Sequence, residues 1–593
     1  LATPEAEDLA GEALQSDRVR SLLQTRLQGL APSSIRLLEA IAVLGRNATP
    51  AHAADAAGLT LPAASDVSEE LYARGILRDV EEQLEFAHDI TREFVYQNLG
   101  GVRRASLHLF VAEALARNVE VTLPTIARHF HLGGDRARAF EYGIRAAKAS
   151  IASFGHEEAK SMASLALSQA VTNGERFESL DIMGRSAFAL GQLDEAEERL
   201  SQILNLDGGL SANDRVQAHL MQGRIRLESS DWEGSKHVLQ AADLASLESP
   251  SNQVEAKLCS LSLQLKGAMR QLDSQLARQL SAEIRRTHAV GVDRRILTDV
   301  AAARSYYSLA AYAAFFESVT EADELVGRAW QHCTDVPDEL SVRVLLMRGV
   351  VKSHRSLWDE AIVLFQHALA LAKEKNQVLE IGKAWNNLAY CHLEQAQWAE
   401  AEECCRASMG TYSQLPPGTY VTATPLTNLG DAFFFQGFAR KAIPVYEEAL
   451  RETRPDLRPQ MLASLGLATL QLGDTAAAAK HWDSLCDLDD SELRGVQERF
   501  KIAWLRAYMT ALSKPSEAGQ QLFDAANAQR DLNLGNHLKL LWLGRLLSNG
   551  SHARDTEATD TIRRLKDARL GWFIHFSSRW LSLAQAKIPE RLH

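Results

Sequence analysis

The sequence predicts an all-α protein: a small N-terminal domain of helices with one β-hairpin, then a long right-handed superhelix of α-hairpins. Three observations carry this prediction. Small residues recur at intervals near forty from about Asp181 onward, the mark of a stacked-hairpin array. Apolar residues keep a helical period through most of the chain. Strand periodicity is confined to two short runs, Ile76 to Val80 and Leu84 to Ala87.

The elements before about residue 120 come first. Arg18 to Leu30 and Ser33 to Leu44 read as amphipathic helices, the second capped by Ser33 or Ser34 after Pro32. Thr49 to Ala57 and Ala63 to Arg74 give two more. A hairpin across Glu81-Glu82-Gln83 follows them. Three helices and a two-stranded wing, in that order, are the elements of a winged helix. Pro124 to Ala170 is helical again, with turns at Gly133-Gly134-Asp135 and Phe154-Gly155-His156.

The repeated pattern is a small residue, a second Gly, Ser or Ala seven residues on, and then an aromatic, leucine or alanine. Gly184, Gly191, Leu193 and Ala196 form one copy; Gly223, Ser230, Trp232 and Ser235 form the next. Gly349, Ser356, Trp358 and Ala361 repeat it, as do Ala389, Ala396, Trp398 and Ala401. Gly430, Gly437 and Ala442 continue it, then Gly466, Gly473 and Ala478. The first small residue lets two antiparallel helices approach, and the second ends the first helix. These residues, with Trp385-x2-Leu388-Ala389 and Leu429-Gly430-x2-Phe433, resemble the tetratricopeptide repeat, in a form longer than the usual roughly thirty-four residues. The marks fade between 246 and 330 and after Arg494, which read as degenerate hairpins, the last a cap. The boundaries are therefore 1–30 for the end of an upstream helical region, 31–100 for the winged helix, 101–175 for connecting hairpins and 176–593 for the superhelix.

Composition excludes several function classes. The net charge is −12 and the pI about 5.9, against the many Lys/Arg–phosphate contacts of sequence-independent duplex binding. The candidate recognition helix, Ala63 to Arg74, sets Asp66, Glu69 and Glu70 against one arginine. The 6 cysteines show no Cys-x-x-Cys spacing, so they read as buried free thiols in a reducing cytoplasm. The longest apolar run, Leu309 to Phe316, is too short to span a bilayer. His129 and His131 stand two apart on a helix and so face different ways, which assigns no metal. No Ser/His/Asp set, carboxylate pair or Cys/His dyad emerges, and the chain does not read as an enzyme. Opening on Leu1 rather than Met, it reads as a fragment or processed product.

The N-terminal signature is Leu22-Leu23-x2-Arg26-Leu27, Leu37-Leu38-Glu39-Ala40-x-Ala42-Val43-Leu44-Gly45-Arg46, Leu71-x2-Arg74-Gly75-Ile76-Leu77 and Phe86-x-His88-x4-Glu93-Phe94. It resembles the STAND class of signal-transduction ATPases, in the branch of the maltose regulators and large LuxR-type regulators. That resemblance implies an order of nucleotide-binding domain, winged helix, connecting helices and tetratricopeptide superhelix. It also implies that His88, framed by Phe86 and Glu93-Phe94, contacts the β-phosphate of bound ADP in the intact protein. An imidazole N–H suits a phosphate oxygen; the bland reading is a residue that caps the helix after the wing. No Gly-x4-Gly-Lys-Ser/Thr occurs in the sequence. The nucleotide domain would lie upstream, ADP or ATP being implied only for the intact protein and no cofactor for this chain. A LuxR-type helix-turn-helix is likewise not evident after Ala553.

Within the repeats, the first helix of each hairpin is expected to line the concave face. Asn387 and Asn428 each stand two positions before their repeat's first small residue. In the peptide-sensing tetratricopeptide proteins these hairpins resemble, an Asn there bonds the backbone of an extended ligand, a donor–acceptor task suited to a carboxamide. Lys383, Asn386 and Tyr390 lie nearby on one hairpin, and Asp431, Phe434 and Phe435 on the next. The expected partners are an inducer (peptide, small molecule or protein) in that face, the upstream nucleotide domain, and further copies on activation. A constitutive scaffold with a purely structural winged helix is the alternative.

Overall fold

The computed structural model describes residues 16–585 apart from 81–82, 118–121, 207–209, 230, 232, 237–238, 240–242, 244–252, 272, 334–338, 416–421, 452–456, 487–495, 512–513 and 550–555. Glu81 and Glu82 of the expected turn, and Ser230 and Trp232 of the second repeat copy, thus lie outside the described residues. The chain divides into two compact units, residues 1–186 with 205–209, and 187–204 with 210–593.

The first unit opens with helices α1 (Asp17–Leu27), α2 (Pro32–Leu44), α3 (Pro50–Ala57) and α4 (Leu61–Ala73). Proline stands in the first two positions of three of them, where its missing N–H is harmless. The expected cap at Ser33 or Ser34 is displaced: Ala31 is the N-cap, and Ser34 is a buried helical residue donating to Glu70 Oε2 at 3.1 Å. Thr49 and Thr60 cap α3 and α4 through their hydroxyls. Strands β1 (Leu77–Val80) and β2 (Gln83–Phe86) pair antiparallel, Leu77 opposite Phe86. Leu77, Leu84 and Phe86 turn inward onto Leu37, Ile41 and Leu71, while Arg78 and Glu85 pair across the strands at 2.9 Å. The backbone N–H of Leu84 donates to Ala48 O at 2.8 Å, pinning the hairpin to the turn after α2.

Helices α5 (Asp89–Gln97), α6 (Gly101–Ala116), α7 (Leu123–Leu132), α8 (Arg136–Ala152), α9 (His156–Gln169) and α10 (Asn173–Ala189) follow. The α8–α9 seam is alanine-rich, and a Cβ at Gly143 would lie 3.2 Å from the Ala166 Cβ.

The second unit contains α11 (Leu193–Leu204), α12 (Ala212–Glu228), α13 (Gln253–Arg270), α14 (Ser274–Asp293), α15 (Asp299–Phe316) and α16 (Val319–Gln331). It continues with α17 (Glu339–His354), α18 (Trp358–Glu374), α19 (Val378–Glu394), α20 (Trp398–Tyr412), α21 (Ala423–Phe435) and α22 (Ala439–Arg451). Last come α23 (Arg458–Gln471), α24 (Thr475–Asp483), α25 (Val496–Ala511), α26 (Pro515–Gln529), α27 (Leu534–Asn549), α28 (Thr556–Asp567) and α29 (Gly571–Gln585). Each helix packs on its hairpin mate. The odd-numbered helices α13 to α27 also pack on one another in succession, the stacking of a helical-hairpin array. The stretches with faded sequence marks keep this alternation.

Both halves of the repeat mark have a structural cause. A Cβ at Gly349 would come 2.4 Å from the Phe365 ring, and one at Gly430 2.4 Å from the Tyr446 ring. The second mark ends the inner helix in the left-handed region, at φ 75° for Gly191, 58° for Ser356, 59° for Ala396, 90° for Gly437 and 76° for Gly473. The following N–H then bonds back to a carbonyl five residues earlier: Leu357 to Lys352, Gln397 to His392, Phe438 to Phe433 and Asp474 to Thr469.

Beyond the array pattern, the C-terminal helices fold over the ends of earlier repeats. Trp358 Nε1 donates to Ala568 O at 3.0 Å, Trp572 Nε1 to Glu394 O at 2.7 Å, and Val319 N to Asp531 O at 2.8 Å. Of the cysteines, Cys259, Cys333, Cys391, Cys404 and Cys405 are buried and unbridged, whereas Cys486 is exposed. Burial pushes the Cys404 thiol up to about 11. Among the described residues no helix is long and apolar enough to cross a membrane.

Candidate functional site

Two places answer to the expected function, one in each unit. In the first, His88 is the N-cap of α5, with extended backbone (φ −141°) and a carbonyl that accepts the Thr91 N–H at 3.0 Å. Its imidazole makes no capping bond and is exposed. Phe86 is buried in the hairpin core, and Phe94 lines a shallow apolar groove with Leu27, Leu30, Ile35 and Leu38. Glu93 accepts Gln97 Nε2 at 2.9 Å. The frame thus leaves the histidine ring at the surface. Arg103 and Arg104 have local partners: Arg103 pairs with Glu39 at 3.0 Å, and Arg104 bonds the Leu99 carbonyl at 3.1 Å and lies over the Tyr96 ring.

Behind α5 runs a polar chain that residue spacing does not reveal. Tyr96 Oη lies 3.0 Å from His108 Nε2, and His108 Nδ1 lies 2.9 Å from His129 Nδ1. Burial, reinforced by Arg104, pushes His108 down to about 4; burial, reinforced by His108, pushes His129 down to about 3. Both are therefore neutral near pH 7, one Nδ1–H donating to the other Nδ1. His131, on the other face of α7, is exposed. The signal in the sequence was only Leu107-His108; the partner 21 residues on required the α6–α7 packing.

In the second unit the expected inner-face residues separate into two groups. Lys383 Nζ lies 3.3 Å from Glu380 Oε1, which also takes Arg343 Nε at 3.0 Å. Asn387 is half-buried, and Tyr390 meets the Trp358 ring edge-on at 6.1 Å. Asn386 and Asn428 bond each other, Nδ2 of Asn428 donating to Oδ1 of Asn386 at 2.9 Å, so Asn428 ties neighbouring repeats together.

Asp431, Phe434 and Phe435 depart from the expectation of a ligand face, because all three are buried. Asp431 accepts Tyr446 Oη at 2.6 Å and Lys501 Nζ at 2.6 and 2.7 Å. Phe434 packs on Trp504 and Phe576, and Phe435 on Trp572 and Phe576. Next to them Lys539 Nζ pairs with Glu394 at 2.6 Å, the two side chains only 1% and 3% exposed. The cause is that α25, α27 and α29 occupy this end of the array, a packing that no local repeat pattern encodes. What stays partly exposed on α19 is Lys383, Asn386, Asn387 and Tyr390, with Asn386 held by Asn428 and Tyr390 against Trp358.

Among the described residues no group of three or more His, Cys, Asp or Glu is placed to hold a metal ion.

Comparison with known proteins begins with the repeats: tetratricopeptide-repeat profiles match residues 380–451 and 427–492. The inner face described above is therefore carried by tetratricopeptide repeats. No curated protein sequence matches the chain. Among solved structures, it is similar to a Pyrococcus horikoshii signal-transduction ATPase with numerous domains (STAND) that bears a tetratricopeptide repeat sensor. The identity is 15% and the TM-score 0.36, over 79% of this chain and 65% of that one. NprR in complex with its cognate peptide NprX gives 11% identity and a TM-score of 0.41, over 61% of this chain and 100% of that one. A Rap protein complexed with competence and sporulation factor gives 11% and 0.35, over 72% and 99%.

Proposed function

We propose that this chain is the sensor and relay part of a STAND-type regulator: repeats that take up a ligand, and a winged helix that reports to a nucleotide-binding domain. The observation that carries the sensor reading is the open stretch of α19. Lys383, Asn386, Asn387 and Tyr390 stand on the first helix of a tetratricopeptide hairpin and stay partly exposed, whereas Asp431, Phe434 and Phe435 on the next are buried. A cation, carboxamides and a phenol on a preformed concave surface suit an extended peptide or protein segment. The relay reading rests on α2 to α4 with the β1–β2 hairpin, read as the winged helix, and on His88 exposed at the start of α5. There the α5 N-terminus and a neutral or protonated imidazole both favour a phosphate oxygen. Ligand uptake in the repeats would loosen the winged helix from ADP and permit exchange and assembly in the cytoplasm.

The test joins the chain to its nucleotide-binding domain and measures ADP retention. His88→Ala should release ADP faster, by the loss of one charge-assisted hydrogen bond, on the order of tenfold. Unchanged retention would sink the relay reading.

A further inference from the structure

The C-terminal end of α14 carries an exposed surface away from both sites described above. Val290, Val292 and Ile296 are 41%, 52% and 48% exposed, and they stand within one stretch of seven residues. A single exposed aliphatic side chain is ordinary on a protein surface. Three at one helix end form a patch.

The turn after the helix holds that patch together. The Arg295 N–H bonds the Val292 carbonyl, and the Ile296 N–H bonds the Gly291 carbonyl. These paired bonds fold a chain back over the end of its own helix, which returns Ile296 to the turn that carries Val290. The reversal places Arg295 in left-handed backbone at φ 55°, where glycine is the unstrained choice. A Cβ at Gly291 would lie 3.2 Å from both Leu297 and Val254, so the helix end is seated closely on α13.

The rim of the patch is cationic. Arg286 stands one turn before Val290 on the same face of α14, and Arg294 and Arg295 follow the helix end. All three are exposed, and among the described residues none of their guanidinium groups has a partner. Arg285, beside them in sequence, is by contrast taken by Glu317 and Glu321. Asp293 and Asp299 share the turn, yet neither closes on an arginine; Asp299 is held by His332 at 2.7 Å. Three arginines against two aspartates leave the patch positive on a chain whose net charge is −12.

We propose that this end of α14 docks a short acidic segment of a partner protein, one with an apolar side chain set between carboxylates. The apolar side chain covers Val290 and Ile296, and the carboxylates take the arginine forks in paired N–H···O bonds. Arginine around an apolar centre is the composition of a protein interface, and a patch this small suits a segment rather than a folded domain. A nucleic acid would gain nothing from the aliphatic centre. An anionic bilayer is opposed by the net charge of the chain, and no lysine, tryptophan or tyrosine stands between Arg286 and Asp299 to anchor one. The site lies on the second helix of its hairpin and is independent of the inner-face reading.

The experiment selects phage-displayed random dodecapeptides on the full chain and on its Arg286→Glu, Arg294→Glu, Arg295→Glu variant. Peptides held elsewhere on the molecule are recovered from both and drop out. Those recovered from the unaltered chain alone should carry Asp or Glu on both sides of an aliphatic or aromatic residue. Synthesised and titrated by fluorescence anisotropy, they should bind the triple variant on the order of tenfold more weakly. Val290→Ser with Ile296→Ser should weaken them by a similar factor with no change of charge. Arg295→Gly removes one guanidinium together with the left-handed strain, so affinity should fall severalfold while the urea midpoint rises. That pairing separates docking from a folding defect, and unchanged affinity in Arg295→Gly overturns the assignment. The same peptides from both selections, or selected peptides indifferent to the serine variant, overturn it as well. Tighter arginine-dependent binding to phosphatidylserine vesicles or to a random-sequence duplex would replace the protein partner with lipid or nucleic acid. A dimer in sedimentation velocity that the triple variant loses would replace it with a second copy of this chain.

Discussion

Two buried polar clusters, one in each unit, are built in opposite ways. Behind α5 the first unit buries Tyr96, His108 and His129 as a neutral hydrogen-bonded chain, with both histidines held well below their ordinary value. At the C-terminal end of the array the second unit buries charges, Glu394 with Lys539 and Asp431 with Lys501, among Phe434, Phe500, Trp504, Trp572 and Phe573. A neutral chain needs no counter-charge but is vulnerable to a proton. A buried ion pair keeps both charges satisfied, yet leaves a stranded charge if either partner is lost. The difference teaches where each cluster is fragile: the histidine chain to a proton, the ion pairs to the loss of a partner.

The strongest way to break this comparison is Lys539→Ala. Stranding the Glu394 carboxylate should cost about 3–5 kcal/mol in urea unfolding of the repeats. Replacing both partners, Glu394→Leu with Lys539→Met, should be near neutral or stabilising, because the desolvation of two ions vanishes with their attraction. A single-variant loss below about 1 kcal/mol would mean that the pair is wet, and the contrast would fail.

Next comes acid. The folded histidines titrate at about 4 and about 3, below their ordinary value of 6.5. The unfolded chain therefore binds protons first, and stability should fall as pH drops below 6.5 toward 4, by on the order of a few kcal/mol. Thermal melting of the first unit across that range checks it. His108→Gln with His129→Gln should flatten the slope; an equally steep slope in that variant would place the acid sensitivity elsewhere.

Smaller effects sharpen the picture of the repeats. Ser356 and Ala396 hold left-handed backbone at φ 58° and 59°, where a Cβ is strained. Ser356→Gly and Ala396→Gly should each raise stability by about 0.5–1 kcal/mol, read as a shift in the urea midpoint, since glycine relieves that strain at some entropic cost. Lys383 is the exposed partner of the buried Glu380 carboxylate, which keeps its pair with Arg343 when Lys383 is lost, so Lys383→Gln should change stability by less than about 1 kcal/mol. That small effect, against the large one at Lys539, would separate a binding position from a structural one on the same array.

Much of the fold was legible because its signals are local. The small residue that admits Phe365 or Tyr446, and the residue seven further on that enters the left-handed region, both act within one hairpin, so a spacing rule captures them. The β1–β2 hairpin shows in the alternation of Leu84 and Phe86 with Gln83 and Glu85. The helix start at Pro32 was misplaced by a residue or two, since proline at the first turn competes with a serine cap as a start signal. The candidate site was only half legible. Lys383 and Asn387 remain open on α19, but Asp431, Phe434 and Phe435 look the same in the sequence and are sealed by helices from far along the chain.

By itself the sequence determined the period of the array, the residues at which its helices meet and turn, and the order of helices and hairpin ahead of it. Each of these follows from steric and hydrogen-bonding rules acting over a few residues. Only the tertiary structure decided which inner-face residues stay open, that His108 meets His129, and that Glu380 takes Arg343 from a separate helix. Those outcomes depend on side chains that lie distant along the chain and become neighbours when hairpins stack, and no local spacing carries that information.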